Sequence, residues 1–87
     1  MSADFLTEEI TMEKMTIPIT TEYIKLDQLL KFSALAEHGA MAKEMILDEI
    51  VSVNGEICTM RGKKIRAGDI VTVEFEDATV EITVEGG

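Results

Sequence analysis

Cysteine and histidine are almost absent from this chain. Of its 87 residues, one is a cysteine, Cys58, and one is a histidine, His38. One cysteine cannot close an internal disulfide, and two candidate ligands twenty positions apart do not make a zinc site. We therefore expect a protein of the reducing cytosol without metal or cofactor. Cys58 is expected to be a small apolar residue of the core or of a strand.

Long apolar runs and a basic N-terminus are missing as well. The longest apolar runs have only a few residues, which is too short to cross a membrane. The first ten residues, MSADFLTEEI, carry three acids and no Lys or Arg, the reverse of the basic start of a signal peptide. We expect no membrane association and no export, and hence a cytoplasmic protein.

Basic residues are scarce overall but locally concentrated. Eight Lys and Arg stand against seventeen Asp and Glu, a net charge of −9, which taken whole argues against a nucleic-acid partner. Residues 1–21 carry four acids and one base, residues 76–87 four acids and no base, and residues 22–75 nine acids and seven bases, giving −3, −4 and −2. Four bases fall within six positions, at Arg61, Lys63, Lys64 and Arg66. Because charge is screened over about 8 Å, a ligand there responds mainly to this cluster.

Catalytic motifs are also missing. A chain of 87 residues forms one domain, too short for most enzymes that build a site between lobes. It has no Ser-His-Asp order, no Gly-rich phosphate loop before a helix and no His/Asp/Glu cluster at metal-ligand spacing. The acid pairs Glu8-Glu9 and Asp48-Glu49 are expected at solvated helix ends or turns. With 46% hydrophobic residues the chain can bury a core, and we predict a folded domain that is not an enzyme.

Hydrophobic periodicity predicts one strand and two helices in the first half. Residues 15–20, MTIPIT, alternate Thr with apolar residues, which predicts a short strand that Pro18 confines to a sheet edge. A helix is predicted over 26–36, with Asp27 favouring its positive N-terminal turn. The residues on its apolar face are Leu26, Leu29, Leu30, Phe32 and Ala36, with Phe32 in the core. His38-Gly39 breaks this helix, and a second one through about Asp48 is indicated by Met41, Ala42, Met45 and Ile46.

In the second half of the chain, apolar and polar residues alternate, which is the two-residue period of a strand. The run VSVN, the Asn54-Gly55 pair and EICT predict a hairpin. Gly68-Asp69 predicts another turn, followed by the strand IVTVEF and, after Asp77-Ala78, the strand TVEITVE. In that last strand Val80, Ile82 and Val84 face one way, and Thr79, Glu81, Thr83 and Glu85 the other. The predicted class is α+β, with two helices packed on one face of a small, mainly antiparallel β-sheet.

The stretch from Tyr23 to Val73 resembles a known family. Its runs YIKLDQLLKFSAL, EHGAMAKEMIL and VSVNGEICTMRGKKIRAGDIVTVE resemble the RNA-binding domain named after ribosomal protein S-four, also called the alpha-L motif. They resemble most the small stand-alone bacterial members of the YaaA and YbcJ type. The resemblance implies one such domain over residues 15–87, with its motif core at 23–75, after an acidic N-terminal extension at 1–14. The fold it implies, two packed helices and a small sheet, agrees with the periodicity.

The resemblance also implies binding of structured RNA, with ribosomal RNA or a ribosome-assembly intermediate as the expected partner. RNA contacts in the family come from the base before Leu-Asp, from the second helix and from the basic loop after the hairpin. Carried over by position, the expected RNA-binding residues are Lys25, His38, Gly39, Lys43, Arg61, Lys63, Lys64 and Arg66. The chain departs from the family at His38-Gly39, where relatives have Ser-Arg, and at Met60-Arg61, where they often have two arginines. Fewer cations imply weaker or more selective binding.

The same residues also have ordinary structural interpretations. Lys25 and Lys43 also fit solvated surface lysines, and the basic cluster fits a charged turn that keeps a sheet edge soluble. Clustering with Gly62, which lets a backbone approach closely, favours phosphate binding. His38 is interpreted as a turn or cap residue, and Gly39 as a backbone position with φ > 0 or a close approach. Aromatic residues are too few for a platform that stacks single-stranded bases.

Two other classes of function stay open. The C-terminal Glu85-Gly86-Gly87 is similar to the tail of sulfur-carrier and ubiquitin-like β-grasp proteins, although here two helices precede any hairpin. The acidic ends also fit a protein-interaction module that meets a basic partner such as a ribosomal protein. We expect a monomer in either case.

Overall fold

The computed structural model describes residues 11–86, in which two helices and two sheets are present. The elements in chain order are β1 (Thr11–Ile19), β2 (Ile24–Lys25), α1 (Leu26–Phe32), α2 (Gly39–Leu47), β3 (Val51–Val53), β4 (Glu56–Ile57), β5 (Lys64–Ile65), β6 (Ile70–Glu74) and β7 (Ala78–Gly86). The predicted α+β class is confirmed. Of the predicted N-terminal extension, residues 1–10 lie outside the described part of the chain, and residues 11–14 belong to β1.

The main sheet has five strands in the order β1-β7-β6-β3-β4. It is mainly antiparallel, as predicted, except that β1 runs parallel to β7 from Thr11↔Ala78 to Ile19↔Gly86. Pro18 lies in this edge strand, as predicted, and edge strands tolerate a residue that has no backbone N–H. The strand begins at Thr11 rather than at Met15. Residues 11–14 have no alternating apolar pattern, but they pair with the backbone of the long strand β7.

Both predicted turns are present. Val53 and Glu56 flank Asn54-Gly55 in a two-residue hairpin, whose central φ values of 52° and 90° are those of the mirror-image turn that suits strand twist. Gly68 has a φ of 95°, and the N–H of Asp69 donates to the carbonyl of Arg66 at 3.0 Å. Glycine is required at such a φ because a Cβ would be strained there.

One hydrophobic cluster joins the inner face of the sheet to the helices. The sheet and β5 contribute Ile19, Val51, Val53, Ile65, Val71, Val73, Val80, Ile82 and Val84, and the helices and their connection contribute Leu26, Leu29, Leu30, Ala36, Ala42, Met45 and Ile46. The predicted alternation in β7 is confirmed, because its three inward side chains are buried while its Thr and Glu side chains are not. No helix in the described part of the chain is long and apolar enough to cross a membrane.

The first helix is shorter than predicted. It ends at Phe32 because Ala34 adopts a left-handed φ of 68°. The N–H of Leu35 then donates to the carbonyl of Leu30 at 3.1 Å, and the N–H of Ala34 donates to that of Lys31 at 3.0 Å, the pair of bonds that commonly closes helix C-termini. This turn returns Ala36 to the core, where it is 2% exposed, although it is no longer helical.

The placement of Phe32 in the core is wrong, since its side chain is 63% exposed. Leu26, Leu29 and Leu30 define the buried face of α1. A residue two positions after Leu30 is rotated by about 200° around the helix and therefore faces away from the core.

Candidate nucleic-acid interface

The basic loop, residues 61–66, is bonded to the start of α1 by its backbone. Strands β2 and β5 pair antiparallel, which places Lys25 directly opposite Lys64. The N–H of Leu26 donates to the carbonyl of Lys63 at 2.9 Å, and the N–H of Asp27 donates to the carbonyl of Arg61 at 3.1 Å. These bonds satisfy two of the donors that a helix start leaves without partners. They also hold the loop and the helix together as one unit.

Five of the eight predicted site residues lie together on this unit, and we call them the basic surface: Lys25, Arg61, Lys63, Lys64 and Arg66. All five are exposed, while Ile65 between them is fully buried and anchors β5 in the core. Over residues 11–86 the one ion pair is Lys14–Glu81, at 3.8 Å. Within that range, therefore, no carboxylate neutralises the basic surface by direct pairing, although the protein as a whole is acidic.

Tyr23 contacts two of these cations. The Nζ of Lys64 lies 4.9 Å from the centroid of the Tyr23 ring, and the guanidinium carbon of Arg66 lies 5.9 Å from it. Both distances are within the range of cation–π attraction, about 6 Å. The half-buried ring therefore orients an ammonium and a guanidinium together. Sequence reasoning missed this role, because the contact of Tyr23 with Lys64 and Arg66 follows only from the pairing of β2 with β5.

Asn54 and Asp69 hold the other end of the basic loop. The Nδ2 of Asn54 donates to the Oδ1 of Asp69 at 3.1 Å, and the Oδ1 of Asn54 accepts from the N–H of Ile70 at 3.0 Å. The Oδ2 of Asp69 accepts from the N–H of Arg66 at 2.8 Å. Sequence reasoning predicted the two turns that contain Asn54 and Asp69, but not the bonds that join them.

The pKa of Asp69 is lowered by this arrangement. The main cause is the hydrogen bond from the N–H of Arg66, and partial burial opposes it. The hydrogen bond from Asn54 and the positive charges of Lys63 and Arg66 lower the pKa further. Asp69 is therefore ionised at neutral pH and holds the backbone of Arg66 in place.

A groove of about 680 Å³ runs beside the basic surface. One wall is cationic, with Lys63, Lys64 and Arg66, and the other is mainly apolar, with Val53, Ile57, Cys58 and Met60 beside the carboxylate of Glu56. Cys58 follows β4, is half-buried against the core, and donates its thiol to the carbonyl of Met60 at a distance of 3.7 Å. No periodic pattern marks these residues in the sequence, so the groove was not predicted.

The other three predicted residues lie on α2. His38 caps this helix, because its Nδ1 accepts from the N–H of Met41 at 3.2 Å, which confirms its interpretation as a cap. The interpretation of Gly39 is wrong. Its φ is not left-handed, and a Cβ added there meets no atom within 4 Å. Lys43 is exposed. Over residues 11–86, no hydrogen bond or ion pair joins these three to the basic surface, to which α2 is linked through its packing on α1.

The Gly-Gly end is only partly described. Gly86 is the last residue of β7 and lies opposite Ile19. Gly87 lies outside the described residues. The part of this end that the structure describes is therefore paired strand.

Comparison with known proteins identifies the family. The model of the S4 domain, the domain named after ribosomal protein S-four, matches residues 17–83. The probable ribosome maturation protein RlbA of Bacillus subtilis (strain 168) is 41% identical over 58 residues, which cover 67% of this chain and 82% of that protein. The matched residues include the paired β2–β5 unit, the basic loop and both helices. The chain belongs to the S4 domain family.

Proposed function

We propose that this protein binds structured RNA of the ribosome or of a ribosome-assembly intermediate, in the cytoplasm and without catalysing a reaction. Membership of the S4 domain family supports RNA binding. The similarity to a probable ribosome maturation protein supports a role at the ribosome.

The observation that carries this proposal is the basic surface itself. Its five exposed cations come from two segments that are distant in sequence and are held together by the β2–β5 pairing and by backbone bonds to α1. None of them is paired with a carboxylate in the range 11–86. Cations gathered in this way neutralise phosphates, which position RNA and supply much of its affinity. The recognition is of RNA shape more than of base sequence.

The second helix extends this surface in our proposal. Lys43 is exposed on α2 without an ion pair in the described chain. Because α2 packs on α1, and α1 is bonded to the basic loop, the two helices are fixed relative to the five cations. We assign Lys43 and the helix start at His38-Gly39 to the margin of the contact.

The acidity elsewhere favours selectivity. Residues 76–87 carry four acids and no base, and Glu81 on β7 is already paired with Lys14. Such surfaces repel RNA, so RNA that cannot reach the basic surface gains little by binding elsewhere.

The salt dependence of RNA binding tests the proposal. If about four phosphates are neutralised, the logarithm of the affinity falls with the logarithm of salt concentration with a slope of about −3 to −4. Replacing Lys63 and Lys64 by Ala lowers the affinity and makes the slope shallower by about two. The matched control replaces Lys14 and Lys31, which changes the net charge equally outside the basic surface and leaves the slope nearly unchanged. RNA binding that is independent of salt, or equal effects of the two double variants, contradicts the proposal.

A further inference from the structure

We infer that the groove beside the basic surface receives one unstacked nucleotide of the bound RNA, from a bulge or a loop. The base lies against Ile57 and Met60, and its phosphate lies on Lys63, Lys64 and Arg66. This inference rests on the proposed function and adds a single-nucleotide site to it.

The apolar wall is exposed in a way that the fold does not require. The side chains of Ile57 and Met60 are 59% and 61% exposed, and both line the groove next to its three cations. Charged side chains are what protects a sheet edge from aggregation. The fold therefore gives no reason for two large apolar side chains to be exposed here. A methionine thioether and an aliphatic side chain do make favourable contacts with an aromatic ring. This wall therefore fits the flat face of a base and does not need an aromatic platform.

The cationic wall of the groove favours a negatively charged ligand. Lys63, Lys64 and Arg66 line it. Both carboxylate oxygens of Asp69, which also lines the groove, are bonded within the chain to Asn54 and to the backbone of Arg66. The exposed carboxylate of Glu56 lines the groove as well. Three cations against the two carboxylates of Glu56 and Asp69 leave the groove with a net positive charge, and an anion joined to a flat apolar ring complements both walls at once. A nucleotide has both parts, an anionic phosphate and a flat base. The groove volume of about 680 Å³ is within the range of small-ligand clefts, about 300 to 1,000 Å³.

An acidic peptide is the competing occupant, and the strand next to the groove argues against it. A peptide that binds beside a sheet adds a strand to the free edge and gains affinity from a ladder of backbone bonds. The edge here is β4, which has only two residues, Glu56 and Ile57. Such a short edge supports very little of a ladder, whereas a nucleotide needs none.

The test compares two RNA hairpins of the same sequence, one with a single bulged adenosine and one fully paired. We expect the wild-type protein to bind the bulged hairpin roughly tenfold more tightly, the scale of one base contact. A fluorescent adenine analogue at the bulge should change its emission on binding. The groove variant replaces Ile57 and Met60 by Ser; it should lose the preference and the emission change while keeping the salt slope.

The matched control replaces Phe32 and Leu47 by Ser. These side chains are 63% and 57% exposed and do not line the groove, so this variant should keep the preference for the bulge. Circular dichroism and thermal unfolding establish that both variants are folded.

The outcomes separate this inference from the proposed function. Equal, salt-dependent binding of the two hairpins overturns the nucleotide site and leaves the RNA-binding proposal standing. A loss of preference in the control variant as well also overturns the site. If neither hairpin binds, the proposed function itself fails. If a labelled peptide of alternating Glu and Val binds the wild type but not the groove variant, and the bulge confers no preference, the groove belongs to a protein partner instead.

Discussion

Asn54 and Asp69 are hydrogen-bonded to each other across fifteen positions of sequence, with Nδ2 of Asn54 3.1 Å from Oδ1 of Asp69. The Oδ1 of Asn54 also accepts from the N–H of Ile70, beside the second turn, and the Oδ2 of Asp69 accepts from the N–H of Arg66, within its own turn. The segment between them contains the whole basic loop and, apart from Val53, the apolar wall of the groove. One side-chain pair therefore closes the segment that presents four of the five cations of the basic surface.

Replacing Asn54 by Gly tests the two hydrogen bonds that the Asn54 side chain makes, to Asp69 and to the N–H of Ile70. Glycine tolerates the φ of 52° at this position, so the change removes the hydrogen bonds without straining the backbone. We expect a loss of about 0.5 to 1.5 kcal/mol in the free energy of unfolding, because the exposed N–H of Ile70 exchanges its side-chain acceptor for water. Urea denaturation measures it. The control is Glu49→Gly, at a φ of 64°, where the side chain makes no hydrogen bond to any part of residues 11–86. A similar loss in the control contradicts the assignment to the hydrogen bonds.

The hydrogen bonds of Asp69 predict that the stability of the fold depends on pH in the acid range. The pKa of Asp69 is lower in the folded protein than its ordinary value of 3.8, so the folded state holds the proton less tightly than the unfolded state. The stability that Asp69 contributes is therefore fully present above about pH 4 and is lost as the pH falls through the lower, folded pKa. We expect the stability difference between wild type and Asp69→Asn to shrink below about pH 4. Urea titrations at a series of pH values measure it, and a difference that stays constant down to about pH 2 is the contrary result.

Tyr23 is predicted to act on RNA through the cations that it orients. Tyr23→Leu removes the ring beneath Lys64 and Arg66 but leaves every charge in place. We therefore expect RNA affinity to fall roughly two- to tenfold, the scale of an exposed cation–π contact, while the salt slope is unchanged. Tyr23→Phe keeps the ring and should restore most of the affinity. If the Phe variant is as weak as the Leu variant, the hydroxyl rather than the ring face is responsible.

The parts of the fold that were predicted depend on neighbouring residues. The alternation of Val80, Ile82 and Val84 places them in the core without knowledge of any partner strand. The turn at Asn54-Gly55 depends on a left-handed backbone that these two residues adopt most easily. The helical stripe begun by Leu26 is equally local. In each case the period or the turn chemistry is contained in fewer than about ten positions.

The parts that were not predicted depend on pairing between distant segments. Thr11 begins a strand only because β7 lies alongside it. The contact of Tyr23 with Lys64 follows from the pairing of β2 with β5, about forty positions away in sequence. Of the eight candidate RNA-binding residues, five were brought together and His38, Gly39 and Lys43 lie apart on α2. Their contact with RNA stays a prediction.

The last prediction concerns the end of α1, where an alanine has a backbone conformation that suits glycine better. Ala34 occupies the left-handed position that ends the helix, with a φ of 68°, where glycine is the usual residue. An alanine there is strained by about 1 to 2 kcal/mol. Ala34→Gly should therefore raise the free energy of unfolding by about 0.5 to 1 kcal/mol even after the greater flexibility of glycine in the unfolded chain is counted. The opposite sign is expected for Ala40→Gly, since Ala40 is an exposed residue within α2 where glycine destabilises the helix. Thermal unfolding of the two variants compares them, and destabilisation by both contradicts a left-handed turn at Ala34.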